Sequence, residues 1–293
     1  LGDVYKRQGK GEYRNGLNAL KVIVGHFSKH KAGQKAAQKM KVIFRNLYID
    51  GEADNISPIK ALALYDEFRV LTPAGPDGNL MIGKLAERLV KVDLLDKASE
   101  VLSHQIKFRL KAEEKAAVGT KLALIRLIAR DPKGALTALR DSFFPNLPVE
   151  IEDDRRRIQA KAEFELGRAN DAIALLAGDV SREADQLRSA IYFRERNWGE
   201  AVKVYHRLVG DPPDKGKSFN EDIGRTALLW AVALKLNRDE EGLKQLLSLV
   251  LLPGLKFLAN LQLYLCQHSP LTRLKLLGPL LKHLQYSSHY LLY

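Results

Sequence analysis

The sequence holds a single cysteine, Cys266. No internal disulfide can form, so a disulfide-stapled scaffold is excluded. Eleven prolines and 21 glycines are too few for a collagenous or low-complexity chain. No charge-free apolar stretch reaches the roughly 18 residues that a spanning helix needs, and no membrane span is expected. Sustained apolar–polar alternation between turn pairs, the mark of strands, is lacking. There is no Ser-His-Asp signature, no pair of cysteines and no metalloprotease helix. Catalytic, metal-binding and cofactor-binding residues are therefore read as none, no cofactor is expected, and an enzyme is the least favoured class. What is present is an ordinary folding composition over 293 residues, 46% hydrophobic and 28% charged. That is enough for one large domain or two smaller ones.

Acidic residues are also missing, but only at the ends. Residues 1–48 carry 11 Lys/Arg against 2 Asp/Glu, and residues 242–293 carry 5 against none. The middle, 49–241, has 31 basic and 33 acidic residues. Mixed charge at that density is what solvated helix faces look like. The net charge of +12 therefore belongs to the termini.

Each end has its own reading. The stretch Asp3-Val4-Tyr5-Lys6-Arg7-Gln8 looks like the translation of a transposon end used in sequencing libraries, so residues 1–8 are set aside as an adaptor artefact. On that reading the true start is missing and the compartment stays open, with a cytoplasmic one favoured. Residues 242–293 contain 20 leucines. A frameshift or assembly error after about residue 246 is the favoured explanation. A basic, leucine-rich helical end and a membrane segment are the competing ones, the last weakened by Pro253, Lys256, Asn260 and Gln262.

Helix signals fill residues 9–241. Ser57-Pro58 and Asp131-Pro132 each combine an N-cap with proline at the first helical position. The run Thr72-Pro73-Ala74-Gly75-Pro76-Asp77-Gly78 is the strongest breaker. Four segments repeat one pattern. Ala98, Ala135, Ala172 and Ala201 open a second helix at spacings of 37, 37 and 29 residues. Ala86, Ala123, Ala160 and Ser189 precede them by twelve positions, and Leu102, Leu139, Leu176 and Tyr205 follow by four. Small residues let two helices approach, and the large one fills the gap a turn later.

This pattern resembles the tetratricopeptide repeat. The fourth segment fits best, with Tyr192, Trp198, Ala201, Tyr205 and Pro213. The third keeps Gly167 and Ala172 but has Glu163 where an aromatic is usual. The wording of residues 44–240, including Leu47–Asp54, Ala61–Arg69 and Arg88–Asp96, is also similar to a group of long, uncharacterised tetratricopeptide-like proteins of alphaproteobacteria. The resemblance implies an all-α fold: an α-solenoid of five to six stacked antiparallel helical hairpins, wound as a right-handed tetratricopeptide-like superhelix. It implies no reaction.

Several motifs are weighed against plainer explanations. Gly78–Lys84 has phosphate-loop spacing but is followed by Leu85 where Mg²⁺ needs Ser or Thr, and its interior reads as helix core. Gly210 to Gly216-Lys217-Ser218 is one residue too long and contains Pro212-Pro213, which lack the N–H groups that cradle phosphate. His26 and His30 could share a metal if they lay on one helix, but flanking lysines favour a solvated basic face. Asp93 and Asp96 read as caps of a second helix. The runs Glu152–Asp154 and Arg155–Arg157 read as charge blocks in the order the helix dipole favours. Trp198 and Trp230 fall on core faces.

The function expected is a non-enzymatic protein–protein interaction scaffold that holds a protein or peptide segment in a concave groove. Arg157, Lys161, Phe164, Gln186 and Phe193 are the candidate partner-binding residues, because basic side chains beside aromatics can hold an acidic or extended peptide. Two alternatives stand beside it. One is a structural or assembly module of a bacterial envelope or motility apparatus. The other, less favoured, is polyanion or nucleic-acid binding through residues 10–48.

Overall fold

The connections between helices, more than the helices themselves, show how this chain repeats. In the computed structural model residues 12–210 and 221–250 are described. They form thirteen α-helices and two short 3-10 turns, with no strand among the described residues. The helices are α1 (Tyr13–His26), α2 (Lys31–Tyr48), α3 (Pro58–Phe68), α4 (Pro76–Lys91), α5 (Leu95–Phe108), α6 (Ala112–Ile128) and α7 (Pro132–Asp141). They continue as α8 (Val149–Glu165), α9 (Ala169–Leu175), α10 (Arg182–Arg194), α11 (Trp198–Val209), α12 (Glu221–Leu236) and α13 (Glu240–Val250). The expectations for residues 1–8, for Gly216-Lys217-Ser218 with Pro213, and for the tail beyond Val250 with Cys266 lie outside the described residues.

The chain divides between Leu175 and Leu176 into two compact units. In the first, α1 packs on α2, and from α3 to α9 each helix packs on its neighbours in sequence; α2 also touches α4, as α6 touches α8. Its core runs from Leu17 and Leu20 through Ile43, Phe44, Leu85 and Leu89 to Ala162. Phe44, Tyr48 and Tyr65 pack ring against ring at 4.8–6.1 Å, and the Tyr48 hydroxyl donates to the Ala61 carbonyl at 2.6 Å. In the second, α10 packs on α11, α11 on α12 and α12 on α13, around Phe193, Val204, Tyr205 and Leu228. Six helical hairpins result: four in the first unit, two in the second, with α3 standing singly.

All twelve residues of the repeated small–small–large pattern are buried, from Ala98, Ala135, Ala172 and Ala201 at 0% exposure to Leu139 at 7%. Five hairpins share one turn. The residue that closes the first helix is left-handed in each: Asp93, Arg130, Gly167, Arg196 and Arg238, with φ between 58° and 85°. Its N–H reaches the carbonyl three residues back, and the next N–H reaches the carbonyl five back at 2.8–3.0 Å, as from Asp131 to Arg126. This is the Schellman arrangement, which satisfies the last carbonyls of a helix. In three of the five the next residue caps the second helix: Asp131 accepts from the Gly134 N–H, Asn197 from Glu200 and Asp239 from Gly242. Five positions past each left-handed residue come Ala98, Ala135, Ala172, Ala201 and Leu243, all buried. The hairpin α12/α13 thus belongs to the series although leucine replaces alanine. Asp93 is corrected from a cap to the left-handed turn residue; the N-cap position falls on Leu94, which has no capping side chain.

Candidate interaction surfaces

Three surfaces follow from this arrangement. The first is the tip of the α1/α2 hairpin. Gly25 through Lys31 are all exposed, and Phe27 shows 56% of its surface. The tip is fixed rather than loose. His30 caps α2 by accepting from the Ala32 N–H at 3.1 Å, and its own N–H donates to the Phe27 carbonyl. Gly33 packs directly on that carbonyl, where a Cβ would collide with backbone. His26 ends α1 and His30 precedes α2, so the two histidines do not share a helix face. No group of three or more metal-ligating side chains occurs among the described residues.

The second surface is a set of exposed apolar side chains at alternate connections between helices of the first unit. Val70 is 90% exposed between α3 and α4, Phe108 64% at the end of α5, and Phe143 73% between α7 and α8. Their spacings, 38 and 35 residues, match the repeat. The second unit has the same feature in Val180, 94% exposed ahead of α10. Isolated exposed apolar residues are unremarkable, but a recurring one marks a surface worth testing. The signal was present in the sequence: Val70 and Phe143 each precede a proline-containing breaker by two or three residues.

The third is a cleft of about 610 Å³ in the second unit, bounded by α11, α12 and α13 with Val202, His206, Trp230 and Leu246 in its walls. His206 meets Trp230 edge-on at 5.2 Å. Among the described residues the buried indole N–H of Trp230 has no hydrogen-bond partner.

The five residues expected to bind a partner are placed as follows. Arg157, Lys161 and Phe164 lie on α8 in the first unit, and Gln186 and Phe193 on α10 in the second. Gln186 is exposed; Arg157 and Lys161 are half-buried. Arg157 is held by Asp154 at 2.6 Å. Phe164 and Phe193 are both buried. Phe193 packs edge-on against Trp198 and Tyr205 at 5.1 and 6.4 Å. Hydrophobic burial takes these rings into the interior instead of leaving them beside the basic side chains. Trp198 and Trp230 are half-buried at the margin of the same core.

Two buried charges were not legible. Arg155, in the middle of a run that reads as solvated, is 9% exposed. Its guanidinium donates to the carbonyls of Ala116 (2.9 Å) and Leu139 (2.5 Å) and to the hydroxyls of Thr120 and Ser142. It thereby ties α6, α7 and α8 together, and burial lowers its pKa. Asp185, on α10, is 7% exposed. Arg188 holds it at 2.7 Å and Arg207 of α11 holds it through both oxygens at 2.8 Å. Burial pushes its pKa up, but hydrogen bonds from Arg207 and Arg188 more than offset this and hold it below the usual range. The same carboxylate raises the pKa of Arg207. Arg188 also donates to the carbonyls of Leu176 and Asp179. Both clusters bind protein groups, and their evident role is to fix helices.

Gly78–Lys84 lies inside α4 with Met81 and Ile82 in the core, so it forms a helix and not a phosphate loop. No helix among the described residues is long and apolar enough to cross a membrane. No family model matches the chain, and no curated protein matches it.

Proposed function

We propose that the chain is a non-enzymatic scaffold of the tetratricopeptide-like kind, whose stacked hairpins hold a protein partner or a peptide segment. The recurring exposed side chains Val70, Phe108 and Phe143 carry this reading. In consecutive antiparallel helices, connections two steps apart return to the same end, so a regular stack sets such residues in a line. A line of apolar anchors on a rigid frame suits a partner helix or an extended segment. Arg157 and Lys161 on α8 would supply polar contacts in the first unit, and Gln186 on α10 would do so separately in the second.

The test uses the full chain and the variant V70S/F108S/F143S. Proteins captured by the full chain are purified and their affinity is measured directly. The triple variant should bind a true partner about a hundredfold more weakly, since anchors of this type are worth about fivefold or more each. All three side chains are exposed, so the fold should be unchanged by circular dichroism. Unchanged affinity would remove the support for this reading. Turnover of a substrate, abolished by one polar substitution, would overturn it.

A further inference from the structure

We infer that the α1/α2 hairpin docks on an anionic lipid surface, with Phe27 inserting at the headgroup level and lysines around it facing the negative charge. Residues 12–48 contain eight Lys/Arg and one acid, Glu12. The two arginines are engaged: Arg14 with Glu67 at 2.5 Å, and Arg45 with Asp77. Both arginines are exposed too, but each is neutralised by its carboxylate, so the uncompensated charge on this hairpin is carried by lysine. Lys29, Lys31, Lys35 and Lys41 are exposed, and among the described residues none of the four has a carboxylate partner. Lysine acts as a strongly hydrated point charge, suited to a diffuse negative surface, whereas bidentate phosphate or base recognition favours arginine. Val22 and Phe27 are exposed at 59% and 56% on the same hairpin. An exposed ring flanked by lysines is the pairing found in interfacial membrane anchors. A single ring on a protruding tip offers no succession of stacking platforms for a nucleic-acid strand.

Two local features point to a retained role for these charges. The first turn of α2 has Lys31 and no acidic residue, although a cation at a helix N-terminus opposes the helix dipole. The tip is also braced by the Gly33–Phe27 packing and the His30 cap. Phe27 is thus presented outward by a preformed turn and would lose little freedom on docking. This inference is independent of the scaffold reading, since it uses another surface and another kind of partner.

The experiment is co-sedimentation of the full chain with phosphatidylcholine vesicles, with and without phosphatidylserine, alongside a DNA duplex at the same salt. Binding is expected only to the phosphatidylserine vesicles, and it should weaken as salt rises. K29E/K31E/K35E should weaken it about a hundredfold, at about fivefold per lysine. F27S should weaken vesicle binding about tenfold and leave any DNA binding unchanged. Glutamate at position 31 suits the helix dipole, and all four side chains are exposed, so circular dichroism should show intact variants. Equal binding to neutral and anionic vesicles, no vesicle binding, DNA binding alone, or indifference to F27S would each overturn the proposal.

Discussion

The first unit buries a cation among neutral oxygens, while the second buries an anion between two cations. Arg155 sits among two carbonyls and two hydroxyls. Asp185 sits between Arg188 and Arg207. Both arrangements tie several segments to one side chain, but the two charges differ in what can remove them. A guanidinium stays protonated over the whole range in which proteins fold, even with its pKa lowered by burial. A carboxylate loses its charge in acid. Packing in the first unit is therefore held by a fixed charge, and in the second by a conditional one.

The contrast breaks most sharply at Arg155. Arg155→Ala should destabilise α6–α8 by about 3–4 kcal/mol, because several buried acceptors lose a charge-assisted donor at once. Arg155→Lys should recover about half, since one ammonium cannot span acceptors on two other helices at once. Hydrogen exchange of the α6–α8 amides in the full chain reads both effects. Protection unchanged in the alanine variant would show that the guanidinium fixes nothing.

Asp185→Asn comes next, at about 2–3 kcal/mol for α10 and α11. It should cost less than the largest values for broken buried pairs because Arg207 is half exposed, at 52% of its side chain, and can turn to water. The same contact sets a pH dependence. The folded pKa of Asp185 lies below its ordinary value of 3.8. The stabilisation is therefore complete above the unfolded pKa and is lost as pH falls through the folded value. Protection of α10–α11 amides should decline as pH falls below about 4, and Asp185→Asn should remove that slope. Arg155 adds no slope in this window, so an equal acid response from α6–α8 would erase the contrast.

The repeat register was readable because packing geometry writes it into residue size. Small residues at Ala86, Ala98, Ala123 and Ala135 are needed wherever two helices approach, and all four are buried. The common turn was not readable, because the usual sign of a left-handed residue is glycine and only Gly167 shows it; Asp93, Arg130, Arg196 and Arg238 adopt the same φ without it. Arg155 was hidden because a run of three arginines looks solvated, and only the fold reveals which one turns inward. The burial of Phe164 and Phe193 is not legible from repeat register alone, because register does not weigh how strongly a ring favours the interior. The exposed Val70, Phe108 and Phe143 carried a sequence signal, but it acquires meaning only once the connections are seen to recur.

The left-handed turn is the feature both units share, and it supports the smallest of these effects. A side chain in this conformation costs about 1 kcal/mol relative to glycine, but glycine also gives the unfolded chain more freedom. Arg130→Gly in the first unit and Arg196→Gly in the second should therefore each stabilise by about 0.5 kcal/mol. Gly167→Ala should destabilise by about 0.5 kcal/mol, the same balance reversed. Nothing lies within 4 Å of the position a Cβ would take at Gly167, so that cost is conformational and not steric. Chemical denaturation of the full chain, with exchange at the flanking amides to locate the change, tests all three. Equal and opposite shifts would mean that the turn is one conformational element used in both units. A gain at Arg130 without one at Arg196 would mean that the surroundings of Arg196 offset its backbone strain.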